Sequence, residues 1–186
     1  LVHPRDFALA YNVRRTVSSV PNASVHFLTD RDCLVAISEL PRRLGLALTS
    51  EFLATSRGMI RADICRGAAL YRTGGWYLDV DVETTRDFRE LAKRMRDETI
   101  LTAIPAWEPR TAYFQAIMAV TRPQDPTIRK YLWMFVNHRP RTRDENTGTI
   151  LLRNAVKETK ARVYELRESR GPLVSQGKQT RSSHKG

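Results

Sequence analysis

The sequence predicts an α/β protein with a mostly parallel sheet flanked by helices. Short apolar segments alternate along the chain with segments of helical spacing, and strands separated by helices usually lie parallel in one sheet. A strand of alternating polar and apolar residues follows the turn at Gly74–Gly75. Because ligands bind such sheets beyond the carboxyl ends of the strands, the end of this strand is the expected place for a site.

Spacing, glycine and proline place the elements in chain order. The first half is predicted to contain a strand at 24–28, helices at 31–40, 48–56 and 60–73, and a strand at 76–82. The second half is predicted to contain a strand at 99–104 and helices at 87–96, 111–120, 126–138 and 148–169. Pro41 ends the helix predicted at 31–40, and Asp125–Pro126 begins the helix at 126–138. Gly171–Pro172 closes the helix at 148–169.

The strand at 76–82 carries the residues that point to chemistry. Side chains of a strand alternate between its two faces, so one face carries an aromatic and three acidic residues: Tyr77, Asp79, Asp81 and Glu83. Asp79 and Asp81 would lie roughly 7 Å apart at the backbone. Two carboxylates at that spacing repel each other unless a cation lies near them. Their oxygen atoms suit Mn²⁺ or Mg²⁺, ions that keep open positions for substrate phosphates.

A charged pair lies on the helix before this strand. Asp63 and Arg66 are three residues apart and therefore neighbours on one helix face. Alone, the pair is best interpreted as an ordinary surface ion pair. Since Gly74–Gly75 ends the helix and returns the chain as a strand toward Asp79, we interpret the pair as part of the same site.

The run 61–83 resembles the DXD region of glycosyltransferase family 32. The matching residues are Arg-Ala-Asp-x-x-Arg followed by Leu-Tyr-x-x-Gly-Gly-x-Tyr-Leu-Asp-x-Asp-x-Glu. That family includes Golgi initiating mannosyltransferases and sphingolipid mannosyltransferases, and the clostridial glucosylating toxins are distant relatives. The similarity is looser in four other segments: Phe27–Asp30, Phe114–Met118, Pro123–Pro126 and Thr147–Gly148.

This resemblance implies a GT-A type fold and a retaining transfer of a hexose from a GDP- or UDP-sugar to a glycan, lipid or protein acceptor. It implies that Asp63 and Arg66 hydrogen-bond the donor sugar and that Tyr77 lies against the nucleoside. It also implies that Asp79 contacts ribose and sugar, and that Asp81, together with Asp79, binds Mn²⁺ or Mg²⁺. The metal would stabilise negative charge on the leaving diphosphate. The resemblance names no catalytic residue.

The expected domain is residues 1–169, and residues 170–186 form a basic tail whose composition predicts disorder. Because the chain starts without Met and lacks the family's His and Ser-Trp segments after Gly148, we expect the domain to be incomplete at both ends.

The net charge is +11, of which residues 153–186 supply +6. Basic residues are not interleaved with aromatic ones, so no specific nucleic-acid partner is expected.

The sequence also bears on compartment and on the state of the cysteines. No apolar run approaches the roughly 18 residues of a membrane span, so none is expected in this chain. An N-terminal anchor outside this sequence would place the protein in the Golgi lumen, and otherwise the cytoplasm is expected.

Cys33 and Cys65 fit no metal-ligand spacing, and Cys65 falls on the apolar side of its helix, which predicts buried free thiols.

Two alternative functions stay open. In a phosphatase of the haloacid dehalogenase type, Asp79 would be the nucleophile and Asp81 the general acid. That chemistry requires a later lysine and a later acidic pair after a strand, and no convincing acidic pair is found. The other alternative is a truncated glycosyltransferase without activity.

Overall fold

The computed structural model describes residues 4–20, 22–83, 87–95, 98–105, 111–137 and 146–168. The helices within these ranges are α1 (Pro4–Ser18), α2 (Asp30–Ser38), α3 (Arg42–Ala54), α4 (Gly58–Thr73), α5 (Phe88–Arg94), α6 (Pro126–Asn137) and α7 (Thr147–Thr159). The strands are β1 (Gly75–Leu78), β2 (Ile100–Ile104), β3 (Phe114–Val120) and β4 (Val163–Arg167). The α/β class is confirmed, and the arrangement is compatible with a GT-A type fold. The predicted tail at 170–186 lies outside the described residues.

The four strands form one mixed sheet in the order β1-β3-β2-β4. β3 pairs antiparallel with both β1 and β2, whereas β2 and β4 pair parallel. The prediction of a mostly parallel sheet is therefore wrong. β2 and β3 follow one another in sequence and pair antiparallel, while β3, α6 and α7 lie between the parallel strands β2 and β4, which need a longer crossover.

Several predicted elements differ from the structure: the helix predicted at 48–56 begins at Arg42, and the strand predicted at 76–82 ends at Leu78. Residues 114–120, predicted to lie in a helix, form β3, whose residues from Gln115 onward are buried. A strand buried on both faces is a continuous apolar run, which periodicity cannot distinguish from a buried helix. The last predicted helix ends at Lys160 in a left-handed conformation (φ 53°) and is followed by β4. Residues 24–28 form no strand among the described residues, and Phe27 is 65% exposed.

Two local signals are confirmed, the cap of α6 and the glycine end of α4. Oδ1 of Asp125 accepts hydrogen bonds from the backbone N–H groups of Thr127 (2.8 Å) and Ile128 (3.3 Å), so Asp125 caps α6 as predicted. Gly74, at the end of α4, has φ 65° and donates its N–H to the Leu70 carbonyl. These contacts involve near neighbours in sequence, which is why the sequence predicts them.

Apolar residues pack on both faces of the sheet. The larger core lies between the sheet and α2, α3, α4, α6 and α7, and it includes Ile64, Leu132 and Leu152. The smaller core lies on the other face, where Leu91 of α5 packs among residues of β2 and β3. α4 is thereby enclosed on several sides, so polar residues on it are withdrawn from solvent.

A disulfide joins α2 to α4. Cys33 and Cys65 are bonded, with their Cα atoms 4.9 Å apart, and no free cysteine is present. The prediction of buried free thiols is therefore wrong. The packing of α2 against α4 brings together two residues separated by 32 positions, which their spacing alone could not indicate.

None of the helices in the described part of the chain is both long and apolar enough to cross a membrane.

Candidate functional site

α4 buries the charged pair that the sequence places on it. Asp63 and Arg66 are each only 7% exposed. Close packing against α6 contributes, because a Cβ at Gly67 would lie 2.8 Å from side-chain atoms of both Tyr131 and Leu132. The interpretation of Asp63 and Arg66 as an ordinary surface ion pair is thus excluded, and they lie where desolvation makes charge expensive.

Arg66 is shared by two carboxylates. Its Nη2 lies 3.5 Å from Oδ1 of Asp63 and 3.6 Å from Oδ1 of Asp79. Its Nε donates to the Ala62 carbonyl at 3.3 Å, and its guanidinium carbon lies 4.9 Å from the centre of the Tyr77 ring. α4 and the end of β1 are therefore joined through one cation.

Tyr77 and Asp79 share a face of β1, as the alternation predicts. The Tyr77 hydroxyl donates to Oδ1 of Asp79 at 2.6 Å. Asp79 lies one residue beyond β1, yet its N–H still donates to the Ala116 carbonyl of β3 at 2.8 Å. Asp79 is consequently held by its backbone, by Tyr77 and by Arg66 together.

Asp81 lies in a different environment. The predicted strand to residue 82 ends at Leu78, and the N–H of Val82 donates to the Asp79 carbonyl at 3.1 Å, which closes a turn. Asp81 is exposed on that turn. The prediction that Asp79 and Asp81 continue one strand face is therefore wrong, because the ladder with β3 does not extend to Asp81.

The turn at 80–83 contacts α1, a helix outside the elements predicted from the sequence. Nδ2 of Asn12 donates to the carbonyls of Val80 and Val82, at 2.8 Å each. Arg15, one turn further along α1, forms an ion pair with Glu83. No motif in the sequence links these segments, since the contacts join residues about 70 positions apart.

A second group closes over Asp63, and although Gln115 and Gly148 lie in segments that resemble the family, no role is predicted for them. Nε2 of Gln115 donates to the Gly148 carbonyl (2.8 Å) and to the Tyr131 hydroxyl (3.0 Å), and that hydroxyl donates to the Asp63 carbonyl (3.2 Å). A Cβ at Gly148 would lie 2.1 Å from Oδ2 of Asp63, so only glycine fits there. The single polar residue in the apolar run of β3, Gln115, is the signal that could have revealed this network.

Burial controls the electrostatics of the enclosed residues. Desolvation raises the pKa of Asp63 to about 7, even though Arg66 acts in the opposite direction, and Asp79 adds to the increase. Burial alone would lower the pKa of Arg66, but Asp63, Tyr77 and Asp79 more than compensate and raise it. Burial also raises the pKa of Tyr77, which therefore stays a neutral hydrogen-bond donor. The site thus has a permanent cation beside a carboxyl that titrates near neutrality.

The chemistry of the side chains fits a divalent metal only in part. Asp79 and Asp81 offer the carboxylate oxygens that Mn²⁺ and Mg²⁺ prefer. Oδ1 of Asp79 already accepts a hydrogen bond from Tyr77, and Asp81 is open to solvent. Within the described ranges no group of three or more His, Cys, Asp or Glu residues is arranged to hold a metal. These residues therefore fit an ion that takes its remaining ligands from water and bound phosphate.

Comparison with known proteins identifies one family. The profile described as "glycosyltransferase sugar-binding region containing DXD motif" matches residues 8–100. The match extends from α1 to the start of β2 and includes Asn12, Asp63, Arg66, Asp79 and Asp81. No curated protein matches this chain. No solved structure matches it either.

Proposed function

The chain belongs to the glycosyltransferases whose sugar-binding region contains a DXD motif, and from that premise we propose that it transfers a hexose from a nucleotide sugar to a glycan, lipid or protein acceptor. The transfer is proposed to depend on Mn²⁺ or Mg²⁺ and to retain the configuration of the sugar. The observation that carries this proposal is the enclosed cluster of Asp63, Arg66, Tyr77 and Asp79, which lies within the matched region.

The enclosed cluster is suited to holding a sugar. The guanidinium of Arg66 is a fixed donor, whereas Asp63, with its pKa of about 7, can accept from or donate to a hydroxyl. Because water is largely excluded, hydrogen bonds from these groups to a ligand are stronger than at the surface. Tyr77 is proposed to contact the nucleoside, and Asp79 to contact ribose and sugar. We assign no catalytic residue.

Asp81, with Asp79, is proposed to hold the metal. A bound divalent ion would offset the negative charge that develops on the leaving nucleoside diphosphate. The contribution of the chain is to keep Asp79 fixed while Asp81 stays accessible from solvent. Since the described residues offer few ligands, phosphate and metal are expected to bind together.

The phosphatase alternative receives no support from the family match, which belongs to glycosyltransferases. A glycosyltransferase without activity is the alternative that the experiment must separate. The purified chain is incubated with Mn²⁺ and a panel of UDP- and GDP-hexoses, and release of free sugar is measured, because transferases often hydrolyse the donor slowly. Turnover of at least one donor that stops on adding EDTA is the expected result.

Three proteins are compared in this assay. The Asp81→Asn variant is expected to lose activity by about 100-fold or more, as when a group that stabilises transition-state charge is removed. The control is Glu158→Gln, which removes an exposed carboxylate that pairs with Lys130 near the far end of α7. If no donor is turned over by the unmodified chain, the inactive alternative is favoured, and equal activity in Asp81→Asn would contradict the metal-binding assignment.

We also propose that the protein resides in an oxidising compartment such as the Golgi lumen. The disulfide between Cys33 and Cys65 supports this, because disulfides persist in secretory compartments and are rare in the cytosol. Alkylation of the protein in intact cells should label neither cysteine until a reductant is added. Labelling of both cysteines without reduction would contradict the proposal and favour the cytoplasm.

A further inference from the structure

The amide of Asn12 contacts the backbone on both sides of Asp81. Its Nδ2 donates one hydrogen bond to the Val80 carbonyl and one to the Val82 carbonyl, both at 2.8 Å. The first carbonyl belongs to the peptide bond that precedes Asp81, and the second lies one residue beyond it. A side-chain amide nitrogen has two hydrogens, so both can be used here at once.

α1 presents one face to the turn and another to solvent. Asn12 and Arg15 are three residues apart and share the face that contacts the turn, where Arg15 pairs with Glu83. Phe7 and Arg14 lie on the opposite side of the helix from Asn12, and both are exposed. The contacts with the turn are thus specific to one side of α1, and neighbouring residues provide controls.

Holding the turn in place has a consequence for Asp81. Asp81 is exposed, and its own side chain is not enclosed by packing as that of Asp63 is. Without Asn12, the backbone around Asp81 would lose conformational freedom when a ligand binds, and that loss would weaken binding. With Asn12 in place, part of that ordering is present before the ligand arrives.

We infer that Asn12 is a positioning residue, which orients Asp81 for a divalent cation by holding the carbonyls of the residues before and after it, Val80 and Val82. This inference rests on the proposed function, in which Asp81 holds the metal. Asn12 touches neither metal nor substrate in this assignment. Groups that orient metal ligands typically change metal affinity 10- to 100-fold when removed.

Mn²⁺ binding tests this role without relying on activity. The free Mn²⁺ signal is followed by electron paramagnetic resonance while protein is titrated with UDP or GDP present. We expect Asn12→Ala to weaken Mn²⁺ binding by about 10-fold. Asn12→Asp, which keeps the size but places an acceptor opposite two carbonyls, should weaken it at least as much. Arg14→Ala, on the exposed face of α1, should bind like the unmodified chain.

The possible results separate this inference from the proposed function. If the unmodified chain binds Mn²⁺ with nucleotide and Asn12→Ala binds equally well, the positioning role is wrong while the proposed function stands. If the unmodified chain binds no Mn²⁺ with either nucleotide, the positioning role is overturned together with the assignment of Asp81 as a metal ligand, whereas hexose transfer is judged separately by turnover of the donors. Nucleotide binding without metal is measured as well, and an equal loss there would indicate a general structural defect rather than positioning of Asp81.

Discussion

The two aspartates of the DXD motif lie two residues apart and in opposite environments. Asp79 belongs to an enclosed cluster with Asp63, Arg66 and Tyr77. In this cluster Arg66 lies beside both carboxylates, and Tyr77 donates a hydrogen bond to Asp79. Asp81 belongs to an exposed turn, residues 80–83, whose fixed contacts come from α1. The difference indicates that the sugar side of the proposed site is formed before ligand binds, whereas the metal side is completed by the ligand.

The largest expected effect is a loss in the free energy of unfolding when the cation of an ion pair is removed, and it differs between the two environments. Arg66→Met leaves Asp63 and Asp79 buried without their cation, and removal of one partner of a buried pair typically lowers the free energy of unfolding by about 3–5 kcal/mol. Arg15→Met removes an exposed pair to Glu83 and should cost less than about 1 kcal/mol. Urea unfolding of both variants measures the two values. Similar losses would contradict the contrast between the enclosed cluster and the turn.

The next effect is the dependence of the free energy of unfolding on pH, which Asp63 controls. Between the ordinary pKa of Asp63, 3.8, and its raised value of about 7, the folded protein keeps a proton that the unfolded chain has lost. The free energy of unfolding should therefore fall as pH rises through this window, by up to about 4 kcal/mol in total, with no such loss below it.

Asp63→Asn cannot titrate, so it removes this contribution. Its stability relative to the unmodified chain should increase from pH 4 to pH 7.5, as measured by urea unfolding at several pH values. Parallel pH profiles of the two proteins would mean that Asp63 is not desolvated as the structure places it. Asp32→Asn offers a contrasting control: hydrogen bonds from Thr29 lower the pKa of that exposed carboxyl rather than raise it.

The smallest of these effects tests the contact that closes over Asp63. Gly148→Ala places a methyl group against Oδ2 of Asp63, and such overpacking usually costs about 1–3 kcal/mol. In the Asp63→Ala background the same change should cost much less, because the obstructing carboxylate is gone. Gly58→Ala is the control, since its Cβ would meet no atom within 4 Å. Thermal unfolding of the unmodified chain, the two single variants at Gly148 and Asp63 and the double variant gives the coupling, and additive losses would contradict the contact.

Regions whose structure depends on local interactions could be predicted. The helix predicted at 60–73 and found at 58–73, its glycine end and the alternation that places Tyr77 beside Asp79 follow from spacing and from residues a few positions apart. The cap of α6 by Asp125 is equally local. The site residues of α4 and β1 could be proposed for a related reason: a helix and a strand joined by a short turn run back along each other, so Arg66 and Asp79 lie at similar distances from the turn.

Only the tertiary structure decided the rest. β3 is buried on both faces and carries no period of two in its sequence, so its neighbours determine that it is a strand. The pairing of Cys33 with Cys65, the contact of Gly148 with Asp63 and the support of the Asp81 turn by Asn12 each join distant segments. The chain by itself determined which residue types are available for the site and on which local elements they lie. Packing decided their burial, their pKa values and their partners, because those depend on which distant elements come into contact.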